Sequence, residues 1–189
     1  SAQVEVWVGT MMGAGLPNTI TTGRMMIMMI GASGSGKTTQ ARSIAAAFVE
    51  QHPDLSATVF SLDEERHRFS GLVDYRAAYD FCIVNELAFT AYVTNRYNTL
   101  LRGNIDCVII DNTNTSSKTR TKYLQVARVA GRSTTAVHML THQQSLEHVL
   151  STRDDKIIPQ SVAIRQYCNT HTPLYGEFDY IVSLISPNA

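Results

Sequence analysis

The chain has 189 residues, of which 44% are hydrophobic and 17% are charged, and its sixteen Lys and Arg residues balance sixteen Asp and Glu residues. This length and composition predict one globular domain with a substantial core and exclude a disordered or fibrous protein. The zero net charge argues against a protein that wraps nucleic acid through a general basic excess, so any polyanion site must be local.

The N-terminal segment differs from the rest of the chain. A strand-like stretch, residues 4–8, is followed by a stretch of turn-forming glycines that reaches residue 23. We interpret residues 1–24 as an appended arm or hairpin and residues 25–189 as the domain. The initial Ser is typical of a tag remnant or of a domain cut from a longer chain, and both alternatives stay open.

No stretch predicts a membrane span or a signal peptide. The longest apolar run is residues 25–30, whereas a bilayer span needs about 20 residues. We therefore expect an intracellular protein, cytoplasmic or nuclear, without a membrane partner. Cys82, Cys107 and Cys168 include no C-x-x-C pair, and we predict buried, reduced thiols.

From residue 25 onward, short apolar runs alternate with longer segments of helical period. This pattern predicts an α/β fold with a parallel sheet and crossover helices. The predicted strands are residues 25–30, 57–62, 105–110, 135–140 and 180–185. The predicted helices are residues 36–51, 74–101, 117–130, 143–150 and 159–169.

The first of these strands leads into a phosphate-binding motif. Residues 31–38 read G-A-S-G-S-G-K-T, a full match to G-x-x-x-x-G-K-[ST] in the strand–loop–helix setting that the motif requires. Glycines let consecutive backbone N–H groups surround an anion, and the following helix adds its positive dipole end. We expect Lys37 to reach the β- and γ-phosphates and Thr38 to ligate Mg²⁺. The predicted nucleotide-binding residues are Gly31, Ser33, Gly34, Ser35, Gly36, Lys37, Thr38 and Thr39.

The second strand is followed by a candidate acceptor site. Asp63 would lie at the carboxyl edge of the sheet, where open α/β folds bind ligands. A carboxylate there can orient an acceptor hydroxyl and take its proton, and Arg66 can bind an anionic part of the acceptor. The alternative is a solvated helix start with acidic residues at its positive end.

Two further segments complete the candidate site. Asp111 ends the third strand, where a carboxylate organises Mg²⁺ and its waters, through water and the Thr38 hydroxyl; residues 111–114 can also form a turn that caps the next helix. Residues 153–156 form a charged segment between two predicted helices. We predict a lid whose Arg153 neutralises charge on the transferred phosphoryl group, with a solvated connection as the alternative.

Together these motifs resemble the polynucleotide 5′-kinase family, which includes phage end-healing kinases and the kinase domain of animal polynucleotide kinase/phosphatase. The resemblance covers about residues 25–185. It depends on the phosphate-binding loop, on Asp63-x-x-Arg66, on residues 109–114 with the downstream segment 120–131, and on Arg153 six residues before Pro159. Residues 111–114 are the most family-specific part.

The resemblance implies a P-loop kinase-type parallel sheet flanked by helices, with a helical lid. It also implies an enzyme that uses Mg²⁺ and transfers the γ-phosphoryl group of ATP or GTP to the 5′-hydroxyl end of single-stranded RNA or DNA. Lys37 and Arg153 would then be catalytic, Asp63 the general base, Arg66 the ligand of an acceptor phosphate, and Asp111 the carboxylate behind the metal. Some family members carry Asp at the position of Asn112, which leaves the choice of metal-supporting carboxylate open.

Two other functions remain compatible with the sequence. A P-loop kinase of a small molecule, such as a nucleoside, a sugar or a zeta-toxin-like substrate, would share the loop, base and lid, and zero net charge favours it. A non-catalytic nucleotide switch would keep the loop but not the base and lid. Members of the kinase family are often fused to other end-processing domains, which are therefore possible partners, although this sequence contains no phosphatase, ligase or 2H phosphoesterase motif.

Overall fold

A computed structural model describes residues 5–10, 23–140, 150–151, 158–174 and 176–185. In this part of the chain six strands form one sheet with the order β1-β6-β5-β2-β4-β3, and every pairing in it is parallel. The strands are β1 (Glu5–Thr10), β2 (Met25–Ile30), β3 (Ala57–Phe60), β4 (Cys107–Asp111), β5 (Ser133–Leu140) and β6 (Tyr180–Ile185). The predicted parallel α/β fold is confirmed.

Helices flank this sheet and connect its strands. They are α1 (Lys37–Gln51), α2 (Leu62–Ser70), α3 (Tyr75–Val84), α4 (Glu86–Arg102), α5 (Ser117–Val129) and α6 (Gln160–Cys168). The predicted helix 74–101 is in fact two helices, because Asn85 leaves helical geometry at φ −108° and ψ 37°. Strand β3 ends earlier than predicted, and α2 follows it directly. Most of the predicted helix 143–150 and the predicted lid at 153–156 lie outside the described residues.

Strand β1 belongs to the sheet. It pairs in parallel with β6, from Glu5 opposite Tyr180 to Thr10 opposite Ile185. Part of the predicted arm therefore adds a strand to the sheet, and its pairing with β6 is parallel, unlike the antiparallel pairing within a hairpin.

The central strand β2 is buried along its whole length and separates two layers of the core. Met26, Met28 and Ile30 pack with α4 and α5 on one face, whereas the alternate residues pack with α1 on the other. A strand buried on both faces is typical of a parallel sheet covered by helices. The loop that follows β2 therefore leaves the sheet at its rigid centre.

Two other sequence predictions can be compared with this fold. Cys82 and Cys107 are buried free thiols as predicted, whereas Cys168, the last residue of α6, is exposed. Among the described residues, no helix is both long and apolar enough to cross a membrane.

Candidate functional site

The carboxyl ends of β2, β3 and β4 open into a cleft of about 560 Å³. The cleft brings together the predicted site residues Lys37, Thr38, Asp63, Arg66 and Asp111. They meet because the carboxyl ends of parallel strands share one edge of the sheet. Arg153 lies outside the described residues, so its catalytic role stays a prediction.

The phosphate-binding loop has the conformation that its motif predicts. Gly34 and Gly36 have φ angles of 83° and 90°, values that side-chain-bearing residues adopt only with strain. Gly31 is closely packed, because a Cβ there would lie 2.8 Å from the hydroxyl of Ser35 and 3.0 Å from Cβ of Met139. The backbone can therefore turn its N–H groups inward at the start of α1.

Several groups of this loop fit a bound phosphate. The Lys37 side chain is buried, and its Nζ donates a hydrogen bond to the Ala32 carbonyl over 2.7 Å. The backbone N–H of Ser33 donates to Oε1 of Gln166 on α6, at 3.1 Å. Within the described part of the chain, the buried Ser35 hydroxyl has no hydrogen-bond partner. A buried hydroxyl without a partner is costly, and a phosphate oxygen would satisfy it.

Thr38 and Asp111 meet on the other side of the loop. The Thr38 hydroxyl donates a hydrogen bond to Oδ2 of Asp111 over 2.8 Å. Hydroxyl and carboxylate oxygens suit Mg²⁺, which keeps several waters and is otherwise bound by substrate phosphates. The residues present thus fit this ion: Thr38 would be the direct ligand, and Asp111 would act through water. The described residues contain no separate group of three His, Cys, Asp or Glu side chains that could hold a metal.

Asp63 and Arg66, the predicted acceptor-binding pair, line the same cleft. Nη1 of Arg66 donates to Oδ1 of Asp63 over 2.8 Å, within the first turns of α2. The Arg66 guanidinium lies 5.0 Å from the ring centre of Tyr79 and 6.0 Å from that of Phe89. An ion pair and two ring contacts therefore hold this guanidinium in place.

Asn112 connects the two sides of the site. Its Oδ1 accepts a hydrogen bond from the Leu62 backbone N–H at 2.8 Å, and its Nδ2 donates to the Tyr123 hydroxyl at 3.3 Å. Between the two candidates at this strand end, Asp111 is the one that bonds the loop residue Thr38. Asn112 instead holds the N-terminus of α2.

Asn114 has a structural part in the same segment. It adopts the left-handed φ of 48°, and its Nδ2 donates to the Met29 carbonyl at 2.8 Å, so it ties the end of β4 to β2. Its own carbonyl accepts a hydrogen bond from the buried Arg120. The N-terminus of α5 is capped by Ser116, which accepts a hydrogen bond from the Thr119 backbone, and residues 111–114 do not supply that cap.

Glu65 fixes the opposite face of α2. It is 1% exposed and accepts hydrogen bonds from Arg96 on α4 and from Arg68. Burial and the hydrogen bond to Glu65 raise the pKa of the neighbouring Tyr92. This network holds α2, and hence Asp63 and Arg66, against α4.

Several cleft residues were not predicted from the sequence, and they include Gln166, Tyr75, Tyr79 and Asn112 in its role as a helix cap. The spacing of Tyr75 and Tyr79 could have indicated that both rings lie on the same side of a helix, because residues four apart on a helix share a face. The contacts of Gln166 and Asn112 depend on how elements that are distant in the sequence pack together, so no local sequence pattern predicts them.

Fold and site together define a nucleotide-binding, kinase-like domain of the P-loop class. The chain belongs to the AAA_33 family, an AAA domain, whose model matches residues 26–166. No curated protein matches the chain by sequence.

Solved structures resemble the fold at low sequence identity. The chain is similar to a sugar kinase from a Janibacter species, with a TM-score of 0.56 and 13% identity, over 86% of this chain and 85% of that one. It is similar to the APS kinase CysC of Mycobacterium tuberculosis in complex with AMPPNP and APS, with a TM-score of 0.55 and 17% identity, over 88% and 90%. The chain is also similar to Kti12 of Chaetomium thermophilum in complex with ADP-AlF3, with a TM-score of 0.60 and 16% identity, over 85% of this chain and 88% of that one.

Proposed function

We propose that the domain is a phosphotransferase that moves the γ-phosphoryl group of ATP or GTP to a hydroxyl of a small anionic acceptor. The observation that carries this proposal is that one cleft holds the phosphate-binding loop, the Thr38–Asp111 pair and the Asp63–Arg66 pair. Phosphoryl transfer needs positioning and charge stabilisation more than covalent help, and these three features supply both.

The residues of the chain take separate parts in the reaction. The acceptor oxygen attacks the γ-phosphorus, the bond from that phosphorus to the bridging oxygen breaks, and the nucleoside diphosphate leaves. The Asp63 carboxylate receives the hydroxyl proton, while Arg66 holds an anionic group of the acceptor. Lys37 and the loop amides stabilise the negative charge of the phosphates. A Mg²⁺ ion bound by Thr38 would neutralise further phosphate charge.

Two observations support a small acceptor. The chain has no net charge with which to attract a long polyanion. Solved structures with the same fold include a sugar kinase and an APS kinase. A nucleotide switch accounts less well for an Asp–Arg pair that faces the phosphate loop across the cleft.

The second candidate acceptor is the 5′-hydroxyl end of single-stranded RNA or DNA. It is supported by Asp63-x-x-Arg66 and by residues 111–114, which resemble the polynucleotide 5′-kinase family. On this alternative, Arg66 binds a phosphate of the strand, and other end-processing domains are the expected partners.

The test is transfer of radiolabel from γ-labelled ATP or GTP to a panel of acceptors. The panel contains sugars, nucleosides, nucleotides and 5′-hydroxyl oligonucleotides, with a 5′-phosphorylated oligonucleotide as the negative control. We expect transfer to at least one anionic hydroxyl acceptor and its loss in Lys37→Met. Transfer to water alone, or nucleotide binding without transfer to any of them, would favour the switch.

Arg66→Ala separates acceptor binding from nucleotide binding. We expect the KM for the acceptor to rise by about tenfold or more, since a charge-assisted contact is lost, with little change in the KM for the nucleotide. Arg102→Ala is the matched control, because this exposed arginine ends α4 at the edge of the sheet away from the cleft. Equal changes in both KM values for Arg66→Ala would contradict the assignment.

A further inference from the structure

We propose that Gln166 on α6 is a positioning residue for Lys37, the lysine of the phosphate-binding loop. It acts through the peptide group that joins Ala32 to Ser33. This inference rests on the proposed function and deepens it, because it gives α6 a part in holding that lysine. Gln166 and Ser33 are 133 residues apart in the sequence, so the phosphate-binding motif does not include this contact.

A single peptide group of the loop connects the two side chains. Its carbonyl, which belongs to Ala32, accepts a hydrogen bond from Nζ of Lys37 over 2.7 Å. Its N–H, which belongs to Ser33, donates a hydrogen bond to Oε1 of Gln166 over 3.1 Å. The carbonyl and the N–H of one peptide group lie in a common plane. A contact that fixes the N–H therefore also fixes the direction of the carbonyl.

Burial makes this contact important for the loop. Ala32 and Ser33 are 3% and 5% exposed, and an unpaired N–H in such a place is costly. Without the Gln166 oxygen, the peptide group would turn toward another acceptor, and the Ala32 carbonyl would turn with it. The adjacent Gly34, with its φ of 83°, gives the backbone the freedom for this turn. The two hydrogen bonds also strengthen each other, because each polarises the peptide group that they share.

The backbone that carries Gln166 is itself held in place. The Thr170 hydroxyl donates a hydrogen bond to the Gln166 carbonyl over 2.6 Å. The next residue, His171, donates its N–H to the Thr115 carbonyl over 2.6 Å and accepts a hydrogen bond from the buried Arg120 over 2.8 Å. The C-terminal end of α6 is thus tied to the segment that follows β4. Gln166 therefore presents its amide oxygen to the loop from a fixed position.

These contacts are compatible with a bound nucleotide. An ammonium group has three N–H donors, so Lys37 can keep its bond to Ala32 while it reaches the phosphates. Gln166 lines the same cleft, and its neutral amide places no negative charge there. A lysine held in the correct position stabilises the charge that develops on the transferred phosphoryl group. The hydrogen bond of Gln166 should therefore contribute to turnover.

The first experiment measures turnover in the transfer assay. Gln166→Leu removes the oxygen acceptor, whereas Gln166→Glu keeps one at the same distance along the side chain. We expect kcat to fall by about tenfold in Gln166→Leu, the scale of one hydrogen bond, with little change in the KM for the acceptor. We expect kcat to stay near the wild-type value in Gln166→Glu and in the matched control Gln160→Leu, at the exposed start of α6. Equal losses of kcat in Gln166→Leu and Gln166→Glu would overturn the inference.

The second experiment measures binding without turnover. Fluorescently labelled ATP and GTP are titrated onto the wild type, Gln166→Leu, Lys37→Met and the double variant. We expect Gln166→Leu to weaken binding by about fivefold in the wild-type background and to have no further effect beside Lys37→Met, because it acts through that lysine. The same weakening in both backgrounds, or none in either, would overturn the inference. Coupled effects on binding without any phosphoryl transfer would support the inference and contradict the proposed phosphotransferase.

Discussion

Oδ1 of Asn112 accepts a hydrogen bond from the Leu62 backbone N–H across 2.8 Å. Leu62 is the first residue of α2, and the next residue is the candidate base Asp63. Asn112 itself directly follows Asp111, which bonds Thr38 of the phosphate loop. One side chain therefore links the nucleotide side of the cleft to the acceptor side.

Removing this link should destabilise the fold. In Asn112→Ala the Leu62 N–H loses its partner, so we expect the free energy of unfolding to fall by about 1–3 kcal/mol. Asn112→Asp keeps an oxygen acceptor and should cost less than about 1 kcal/mol. Urea denaturation of the two variants measures the difference, and an equal cost for both would contradict the capping role.

The buried carboxylate of Glu65 should contribute more to the free energy of unfolding than a carboxylate on the surface does. Glu65→Ala leaves Arg96 and Arg68 without their common partner, but these two side chains are 33% and 57% exposed and can rehydrate. We therefore expect the free energy of unfolding to fall by about 2 kcal/mol, which is less than the cost of removing one partner of a fully buried ion pair. Asp80→Ala breaks the exposed pair with Arg76 and should cost less than about 1 kcal/mol in the same urea experiment.

Stability should fall as the pH rises above 9. Burial raises the pKa of the Cys107 thiol from its ordinary value of 9.0 to about 12 in the folded state. Between these values the unfolded chain releases the proton while the folded chain keeps it, so the free energy of unfolding declines by about 1.4 kcal/mol per pH unit. Burial also raises the pKa of Tyr123, which adds to the decline above pH 10.

The variant Cys107→Ala isolates the thiol contribution. Its free energy of unfolding, measured by urea denaturation with reductant from pH 8 to 11, should decline less steeply than that of the wild type. Identical slopes would show that this thiol does not have the raised pKa.

The Thr38 hydroxyl should set the Mg²⁺ requirement. Thr38→Val removes the hydroxyl that we assign to the ion, whereas Thr38→Ser keeps it. We expect the Mg²⁺ concentration for half-maximal transfer to rise by about tenfold or more in Thr38→Val and to change little in Thr38→Ser. A shift of the same size in both variants would point to packing of the methyl group instead.

The sequence predicted those parts of the site that follow directly from strand ends. Residues 25–30 and 180–185 are strands within the predicted limits. Asp63 and Asp111 converge on the phosphate loop because each comes at or just after the end of a parallel strand. The positions of Gly34 and Gly36 follow from the left-handed backbone geometry that the phosphate-binding motif requires.

Other features depend on packing between distant elements. The sequence did not predict the break at Asn85, because the apolar residues beside it, Val84 and Leu87, are not buried. Their side chains are 84% and 89% exposed. The helical spacing of apolar residues therefore runs across the boundary between α3 and α4, and it predicted one helix where there are two. The parallel pairing of β1 with β6 joins the two ends of the described chain, and no local pattern determines it.

The most direct test of the account is the turnover of Asp63→Asn in the transfer assay. This substitution keeps the side-chain volume and removes the proton acceptor. We predict a fall in kcat of about 10²-fold or more with an almost unchanged KM for the nucleotide, because the loop around Lys37 holds the donor independently. Full activity in Asp63→Asn would contradict the assignment of Asp63 as the base and, with it, the proposed chemistry of the cleft.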